Sequence, residues 1–201
     1  MTATRSTFFS LRPIASILMA AALLCGHGLS LMAEPAKSLL PAFGNEGAEF
    51  TTKAQEGNIV KGWLPTGWKD DTAWAEVSAT YTKLADSPDK AAGAVRIKVE
   101  KVDDGRLQLT TFQGNQKYKK GAHYLVTGWV RNPDGEGVKV GVREKDDPYQ
   151  FFHEDDLPTG KEWKRFEFAF APEMDFEAFL MFVVSETGTV DLAGVVLQEK
   201  P

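Results

Sequence analysis

Three tryptophans crowd into a short segment punctuated by glycine and proline. They are Trp63, Trp68 and Trp74. An indole presents a flat apolar face and one N–H donor, so it can stack on the C–H face of a pyranose and bond one of its hydroxyls. Because loops rarely bury three indoles, we expect the exposed member of the Trp68 and Trp74 pair to bind a sugar ring. Each indole could instead plug one end of the core, an alternative that suits Trp63 best, since it sits beside Leu64.

A second group of residues combines aromatic rings with planar polar side chains. Guanidinium and amide groups can orient a hydroxyl-rich ligand while neighbouring rings supply contact area. The alternative interpretation is that these side chains decorate the surface of a two-sided sheet. Together with Trp68 and Trp74, the candidate binding residues are Phe112, Gln113, Arg143, Tyr149, Phe151 and His153.

The residues offer little support for catalysis or metal binding. The histidines, His27, His123 and His153, are not spaced for zinc, and serine-nucleophile and phosphate-loop motifs are absent. Acidic residues cluster at 144–147 and 153–156. Glycoside hydrolysis needs two carboxylates about 5 to 9.5 Å apart across a groove. Adjacency in sequence does not establish that spacing, so we interpret both runs as solvated loops rather than catalytic or calcium sites.

Alternating apolar and charged residues predict the strands that must position these groups. In the clearest run, from Glu162 to Phe170, we expect Phe166, Phe168 and Phe170 to be buried and the charged residues between and before them to face water. We assign Trp163 to the core because it opens this strand. Turn residues at 103–105 and 132–137 connect neighbouring strands at the tips of the fold. Nine strands are predicted, at 75–83, 95–102, 106–113, 123–131, 137–143, 149–157, 164–170, 179–184 and 189–198.

The number and spacing of these strands predict the fold class. With no helical pattern after the leader, they indicate an all-β chain that forms a single β-sandwich or jelly roll. The formal net charge is −5 over 201 residues. That charge disfavours nucleic acid and anionic lipid as partners, because both need a clustered basic face, and it leaves neutral ligands open.

The first residues of the chain are typical of a secretory signal. Arg5 and Arg12 precede an apolar run at 14–24 that is too short to span a bilayer, and small residues follow. We expect cleavage after Ala33, which gives a signal peptide at 1–33, a short linker at 34–38 and one domain at 39–199. The alternatives are an uncleaved membrane anchor or a lipoprotein acylated at Cys25, although Leu24 is large for the position before such a cysteine.

Cleavage after Ala33 would leave a mature chain without cysteine, because Cys25 is the only one. An exported domain without disulfides suits a bacterial periplasm, cell surface or extracellular medium. Contact with a membrane is then expected only if Cys25 is lipidated.

The mature chain resembles carbohydrate-binding modules of the family 4/9 type, which have the galactose-binding-like jelly-roll fold. The resemblance runs from Leu39 to Glu199, and its individual motifs are weaker evidence than their order. These motifs include 39–41 (LLP), 67–68 (GW), 74–77 (WAEV), 118–121 (YKKG), 129–131 (WVR), 162–166 (EWKRF), 179–181 (FLM) and 188–190 (GTV).

The resemblance implies a non-catalytic module that binds a poly- or oligosaccharide in a cleft on the concave sheet. Modules of this kind usually accompany glycoside hydrolases, so the resemblance leaves two alternatives, a free-standing binding protein or a partner glycoside hydrolase on a separate chain. Members of the family hold a structural calcium with acids near both ends of the domain, whereas this chain has 42–47 (AFGNEG) and 193–197 (AGVVL) at those places. Without those carboxylates the ion loses its strongest ligands, so no cofactor or metal is expected.

Two other functions remain open from the sequence. The first is an envelope structural or protein-interaction sandwich that binds no glycan, and the second is a small glycoside hydrolase. A surface shared by Trp68, Trp74 and Tyr149 would favour glycan binding over the structural or protein-interaction role. Paired carboxylates in the same groove would instead favour the glycoside hydrolase.

Overall fold

The computed structural model describes residues 38–41, 43–88, 93–111, 116–134, 137–144 and 146–200. The leader with Cys25 and Ala33 lies outside the described residues, as do the candidate site residues Phe112 and Gln113. Within these ranges, no helix is both long and apolar enough to cross a membrane.

Strands dominate the described chain, joined by turns and one short 3₁₀ segment, Gln55–Gly57. The strands are β1 (Gly47–Lys53), β2 (Ile59–Pro65), β3 (Trp68–Asp70), β4 (Glu76–Leu84), β5 (Ala94–Asp104), β6 (Leu107–Thr111), β7 (Gln116–Tyr118), β8 (His123–Asn132), β9 (Val138–Arg143), β10 (Phe151–Asp156), β11 (Gly160–Phe170), β12 (Phe176–Val184) and β13 (Gly188–Lys200).

These strands form two sheets. The seven-stranded sheet has the order β1-β2-β4-β5-β13-β8-β11, and the six-stranded sheet has the order β10-β9-β12-β6-β3 with β7 paired to β12. Neighbours pair antiparallel except β2 and β4, which are parallel. The fold is therefore the all-β sandwich of jelly-roll type that the alternating pattern predicted.

The core lies between the inner faces of the two sheets. On β12 the inner residues are Leu180, Phe182 and their alternate neighbours, which share one buried cluster with Phe166 of β11. The rings of Phe166 and Phe182 meet edge to face across the sandwich, with centroids 6.0 Å apart. Burial of each such side chain contributes about 1.5 to 3 kcal/mol, so the alternating faces supply the main driving force for folding.

The prediction that residues 62–74 form one loop is wrong for the positions of Trp63 and Trp68 and correct for Trp74, which lies in the turn between β3 and β4. Trp63 lies on β2 and Trp68 on β3, and only a tight turn at Thr66 and Gly67 separates these strands. Gly62 and Gly67 both have positive φ, at 127° and 88°, which interrupts the side-chain alternation that marks a strand in sequence. Strands β1 and β7 were also not predicted.

Trp163 is not a core residue, contrary to its assignment from sequence. It lies an odd number of positions before Phe166, so strand alternation directs it away from the core. Its indole sits over the Arg131 guanidinium at 4.6 Å and donates a hydrogen bond to Asp86 Oδ2 at 3.4 Å. Trp163 therefore belongs to the outer surface of the seven-stranded sheet.

Candidate functional site

A groove opens on the outer face of the six-stranded sheet. Its volume is ≈ 550 Å³, and its walls come from β3, β6, β9 and β12, the loops beside them and the turn before β10. The lining residues are Lys69, Asp71, Trp74, Arg106, Gln108, Arg143, Tyr149 and Phe179. We refer to this set as the Trp74 groove.

Strand register brings the sheet residues of the groove together. Phe179 of β12 is paired with Arg143 of β9, and Lys69 of β3 is paired with Thr110 of β6. Leu180 and Phe182 alternate with Phe179 and point into the core, so Phe179 must face outward. Residues from distant parts of the chain thus share one face.

Trp74 forms an exposed wall of the groove. It is 47% exposed, and its Nε1 donates a hydrogen bond to Gln108 Oε1 at 3.3 Å. The six-membered ring lies against Gly105, where a Cβ would come within 2.9 Å of Trp74 Cζ3. The indole is therefore fixed in orientation while about half of its surface stays available to a ligand.

The turn that carries Trp74 is bonded to β6. The Asp71 N–H donates to the Gln108 carbonyl at 2.8 Å, and the Gln108 N–H donates to the Thr72 hydroxyl at 3.1 Å. Thr72 in turn donates to Asp70 Oδ1 at 2.6 Å. Burial raises the pKa of the Asp70 carboxyl, an effect that the Thr72 hydrogen bond opposes. These bonds hold the wall rigidly beside the sheet.

Three charged side chains meet at the base of the groove. Asp71 accepts a hydrogen bond from Arg143 Nη2 at 3.5 Å and one from Lys69 Nζ at 3.3 Å. Arg143 is only 8% exposed, and its guanidinium lies over the Tyr149 ring at 5.3 Å. Burial lowers the pKa of Arg143, and the charge of Asp71 opposes that shift. The guanidinium is thus held by a ring and by one long ionic contact.

Several polar atoms around the groove are buried without a hydrogen-bond partner in the described part of the chain. They are Arg106 Nε, Gln108 Nε2, Thr110 Oγ1 and Arg143 Nε. A buried polar group left unpaired costs about 1 to 3 kcal/mol, so such groups are rare in structural surfaces. Four such atoms thus lie on or beside one face of the six-stranded sheet, where the described residues do not satisfy them.

Tyr149 closes the groove from the turn that precedes β10. Its φ of 57° lies in the left-handed region, which a bulky residue adopts at a cost of about 1 to 3 kcal/mol. The side chain is 52% exposed. Backbone strain of this kind is concentrated at active sites and ligand clamps, where the surrounding structure holds the strained residue in place.

The structure brings together some of the candidate site residues. Trp74, Arg143 and Tyr149 line the same groove, and Phe151 borders it, since the Arg106 guanidinium lies 5.5 Å from the Phe151 ring. Trp74 and Tyr149 therefore share one surface rather than lying scattered and buried.

Trp68 needs correction. It is 5% exposed, and its ring packs against Phe43 at 5.0 Å and Phe182 at 5.9 Å. Trp68 alternates with Lys69 on β3, so the strand that directs Lys69 into the groove directs Trp68 into the core. It cannot present a face to a ligand.

His153 also lies apart from the groove. A register shift in β10 places Phe151 opposite Arg143 but His153 opposite the inward-facing Val142. The imidazole packs against Phe170 and Phe176, with ring centroids 5.2 and 6.5 Å away. It therefore belongs to the inner edge of the sandwich.

Trp63 does not plug the core either. It is partly exposed, and Lys83 Nζ lies 5.0 Å from its ring. Tyr81 of the neighbouring strand is buried in the core, while Trp63 shares a shallow surface depression with Thr80 and Thr82. It thus lies on the outer side of the seven-stranded sheet.

The sequence reasoning missed five residues of the groove, which are Lys69, Asp71, Arg106, Gln108 and Phe179. A signal existed on β6, where polar Gln108 and Thr110 alternate with apolar Leu107 and Leu109 inside a strand that is buried throughout. Polar residues on a buried strand need partners or a ligand. Among the described residues, no group of three or more His, Cys, Asp or Glu side chains could hold a metal ion.

No protein-family model matches the chain, and no curated protein matches it either. Solved structures do match. One is the enzymatically active domain of tailspike protein 4 from bacteriophage CBA120, with a TM-score of 0.51 and 15% identity over 67% of this chain. This chain spans only 20% of that tailspike chain.

A second similar structure is a family 4 carbohydrate-binding module, with a TM-score of 0.50 and 14% identity, covering 66% of this chain and 86% of the module. The N-terminal cellulose-binding domain of β-1,4-glucanase C from Cellulomonas fimi has a TM-score of 0.45 and 13% identity, covering 68% of this chain and 91% of that domain. At 14% identity the likeness to the family 4 module concerns the fold alone, and it agrees with the jelly-roll sandwich.

Proposed function

We propose that this protein is a non-catalytic carbohydrate-binding module of the family 4/9 type, which holds a poly- or oligosaccharide in the Trp74 groove. The observation that carries the proposal is the convergence of two exposed aromatic residues, Trp74 and Tyr149, with donors from Gln108 and Arg143 in one groove. Rings that stack on sugar faces and planar donors that bond hydroxyls are the combination that such a ligand requires.

The groove favours binding over hydrolysis. Asp71 is the only carboxylate on its walls in the part of the chain that the structure describes. Asp71 is already engaged by Lys69 at 3.3 Å and by Arg143 at 3.5 Å. Glycoside hydrolysis in most families needs a pair of carboxylates with separate acid and base roles, and this constellation offers one, held as an ion pair.

The fold supports the same proposal. The jelly-roll sandwich is shared with a family 4 carbohydrate-binding module, and that module is covered almost in full. A fold does not determine a ligand, so the groove carries the argument and the likeness adds to it. A glycoside hydrolase on a separate chain is the partner that a module of this kind would serve.

We also propose that the module is exported. The apolar leader favours cleavage after Ala33 and delivery to the periplasm, the cell surface or the medium. Intact-mass measurement of secreted material distinguishes this from acylation at Cys25, which would add the mass of the lipid to a chain that starts at the cysteine.

Removal of the exposed rings tests the binding proposal. In affinity gels and calorimetry against a panel of polysaccharides, we expect Trp74→Ala and Tyr149→Ala each to weaken binding by about 1 to 3 kcal/mol, because each loses a stacking surface. Trp63→Ala is the matched control, since it removes a partly exposed indole from the opposite sheet. Wild-type affinity in both groove variants, or an equal loss in Trp63→Ala, contradicts the proposal.

A further inference from the structure

The Trp74 groove has a charge opposite in sign to that of the chain as a whole. Lys69, Arg106 and Arg143 line it, while Asp71 is the only acid among the described residues of its lining. The chain carries a formal net charge of −5. Three cations against one anion thus converge on a single concavity of an acidic protein. A neutral glycan does not need such a concentration of charge.

The described residues neutralise these cations only in part. Asp71 contacts both Lys69 and Arg143, at 3.3 and 3.5 Å, so one carboxylate is shared between two cations. Arg106 has no ion pair with a described residue, and its guanidinium is held over the Phe151 ring at 5.5 Å. A cation over an aromatic face keeps its charge and its outer N–H donors available.

The unpaired polar atoms are mainly donors. Arg106 Nε, Arg143 Nε and Gln108 Nε2 are N–H groups, and Thr110 Oγ1 is a hydroxyl that can also donate. A sugar hydroxyl offers a donor as well as acceptors, whereas a carboxylate or sulfate offers acceptors only. Buried donors without an acceptor add to the charge of the three cations and give the groove a positive potential, which favours an anionic substituent over a neutral one.

Lys139, a cation on the same outer face but outside the groove, is a useful comparison, because acidic side chains pair with it. Lys139 of β9 contacts Glu154 at 3.4 Å and Asp156 at 4.0 Å. It does not line the groove, and acids outnumber it. In the groove, by contrast, the cations outnumber the acids among the described residues.

Resting on the proposed function, we propose that the Trp74 groove selects an anionic glycan, in which a carboxylate or sulfate on the sugar lies among Lys69, Arg106 and Arg143. Trp74 and Tyr149 supply the stacking surfaces for the sugar ring. The charged substituent then contributes selectivity over neutral chains, since charge-assisted hydrogen bonds in a partly buried site are the strong ones.

Matched ligand pairs test this selectivity. The acidic ligands titrated into the protein are oligogalacturonate, an alginate oligosaccharide and a sulfated galactan. Each is compared with its neutral form, which is the esterified chain for the two uronates and the desulfated chain for the galactan. Neutral β-glucan and xylan oligosaccharides complete the set. We expect at least one acidic ligand to bind about 10-fold tighter than its neutral form, with a preference that declines as salt rises. The uronate and sulfate arms identify which substituent is bound.

Charge-removing variants locate the effect. We expect Lys69→Gln and Arg106→Gln each to reduce the preference for the acidic ligand by about 3- to 10-fold. Lys139→Gln is the matched control, because it removes one positive charge from the same sheet face outside the groove. Circular dichroism and thermal melts confirm that each variant is folded.

The outcomes separate the two proposals. Equal or tighter binding of the neutral forms in every pair overturns the charge selectivity and leaves glycan binding intact. A loss in Lys139→Gln as large as that in Arg106→Gln also overturns it, because the attraction would then be diffuse. Binding to none of the glycans overturns the selectivity together with the proposed function.

Discussion

Each outer face of the sandwich carries an arginine stacked on an aromatic ring, but the two pairs have different surroundings. On the seven-stranded sheet Arg131 lies 4.6 Å from the Trp163 ring, and on the six-stranded sheet Arg143 lies 5.3 Å from the Tyr149 ring. Composition and stacking geometry alone would not tell them apart. Their hydrogen bonds do.

The pair on the seven-stranded sheet is satisfied. Arg131 donates to Asp191 at 2.6 Å and to Asp86 at 3.0 Å, and Arg96 holds Asp191 through two further bonds at 2.8 and 3.0 Å. The hydrogen bond with Asp191 raises the pKa of Arg96. Trp163 completes the network through Asp86.

The pair in the groove is not satisfied. Arg143 makes one long contact with Asp71, and its buried Nε has no partner among the described residues. The two faces therefore differ in hydrogen-bond satisfaction and not in aromatic content, and this difference is the reason for placing the proposed ligand on the six-stranded sheet.

The largest expected effect comes from breaking the satisfied network. Asp191 is fully buried between two arginines, so Asp191→Ala leaves both without their shared partner. We expect a loss of about 2 to 4 kcal/mol in the free energy of unfolding, measured by chemical denaturation, because three charge-assisted hydrogen bonds to a buried carboxylate are lost. Glu154→Ala, which removes an exposed ion pair with Lys139, is the control and should cost less than about 1 kcal/mol. A similar small cost in Asp191→Ala would contradict the assignment.

A paired substitution of the two arginines sharpens the comparison directly. Arg131→Met should destabilise the fold by about 1 to 3 kcal/mol, because it leaves Asp191 with one partner. Arg143→Met should leave stability within about 1 kcal/mol of wild type, since it removes a buried cation whose Nε is unpaired, while it weakens glycan binding. Denaturation and calorimetry on both variants give the result. Stability losses of equal size would erase the distinction between the faces.

The smallest expected effect concerns backbone strain in the groove. Tyr149→Asn replaces a bulky residue at a φ of 57° with one that tolerates this region, so stability should stay the same or rise by up to about 1 kcal/mol. Glycan affinity should fall because the ring is lost. Phe151→Asn is a comparison at the edge of the same groove, without the positive φ. A clear loss of stability in Tyr149→Asn would show that the ring supports the fold.

The alternating pattern was sufficient to predict the fold class. In β11 the alternation of Phe166, Phe168 and Phe170 with charged or small residues gave the correct inner face, because no glycine or proline interrupts it. Strands β2 and β3 were not predicted because glycines with positive φ break the pattern. Trp163 was misassigned because its place in the same strand as buried phenylalanines was taken as evidence of burial. Its position three residues before Phe166 puts it on the opposite face of that strand.

The groove was only partly predictable. Trp74, Arg143 and Tyr149 could be found because their residue types suggest binding. Their partners could not be found, because the contact of Trp74 with Gln108 and that of Arg143 with Asp71 join positions 34 and 72 residues apart. Only the strand order brings such residues onto one face, and a single sequence does not reveal that order.

The strand order has a consequence for how the chain reaches this fold. The last two strands of the described chain occupy interior positions, β13 between β5 and β8, and β12 between β9 and β6. Until both have formed, each sheet remains in two pieces with open edges, which are prone to pairing with other chains. Because these contacts span long sequence separations, we expect slow folding that is completed only when the C-terminal strands insert. A nascent or truncated chain that lacks them would present the halves of the groove on separate, unjoined strands.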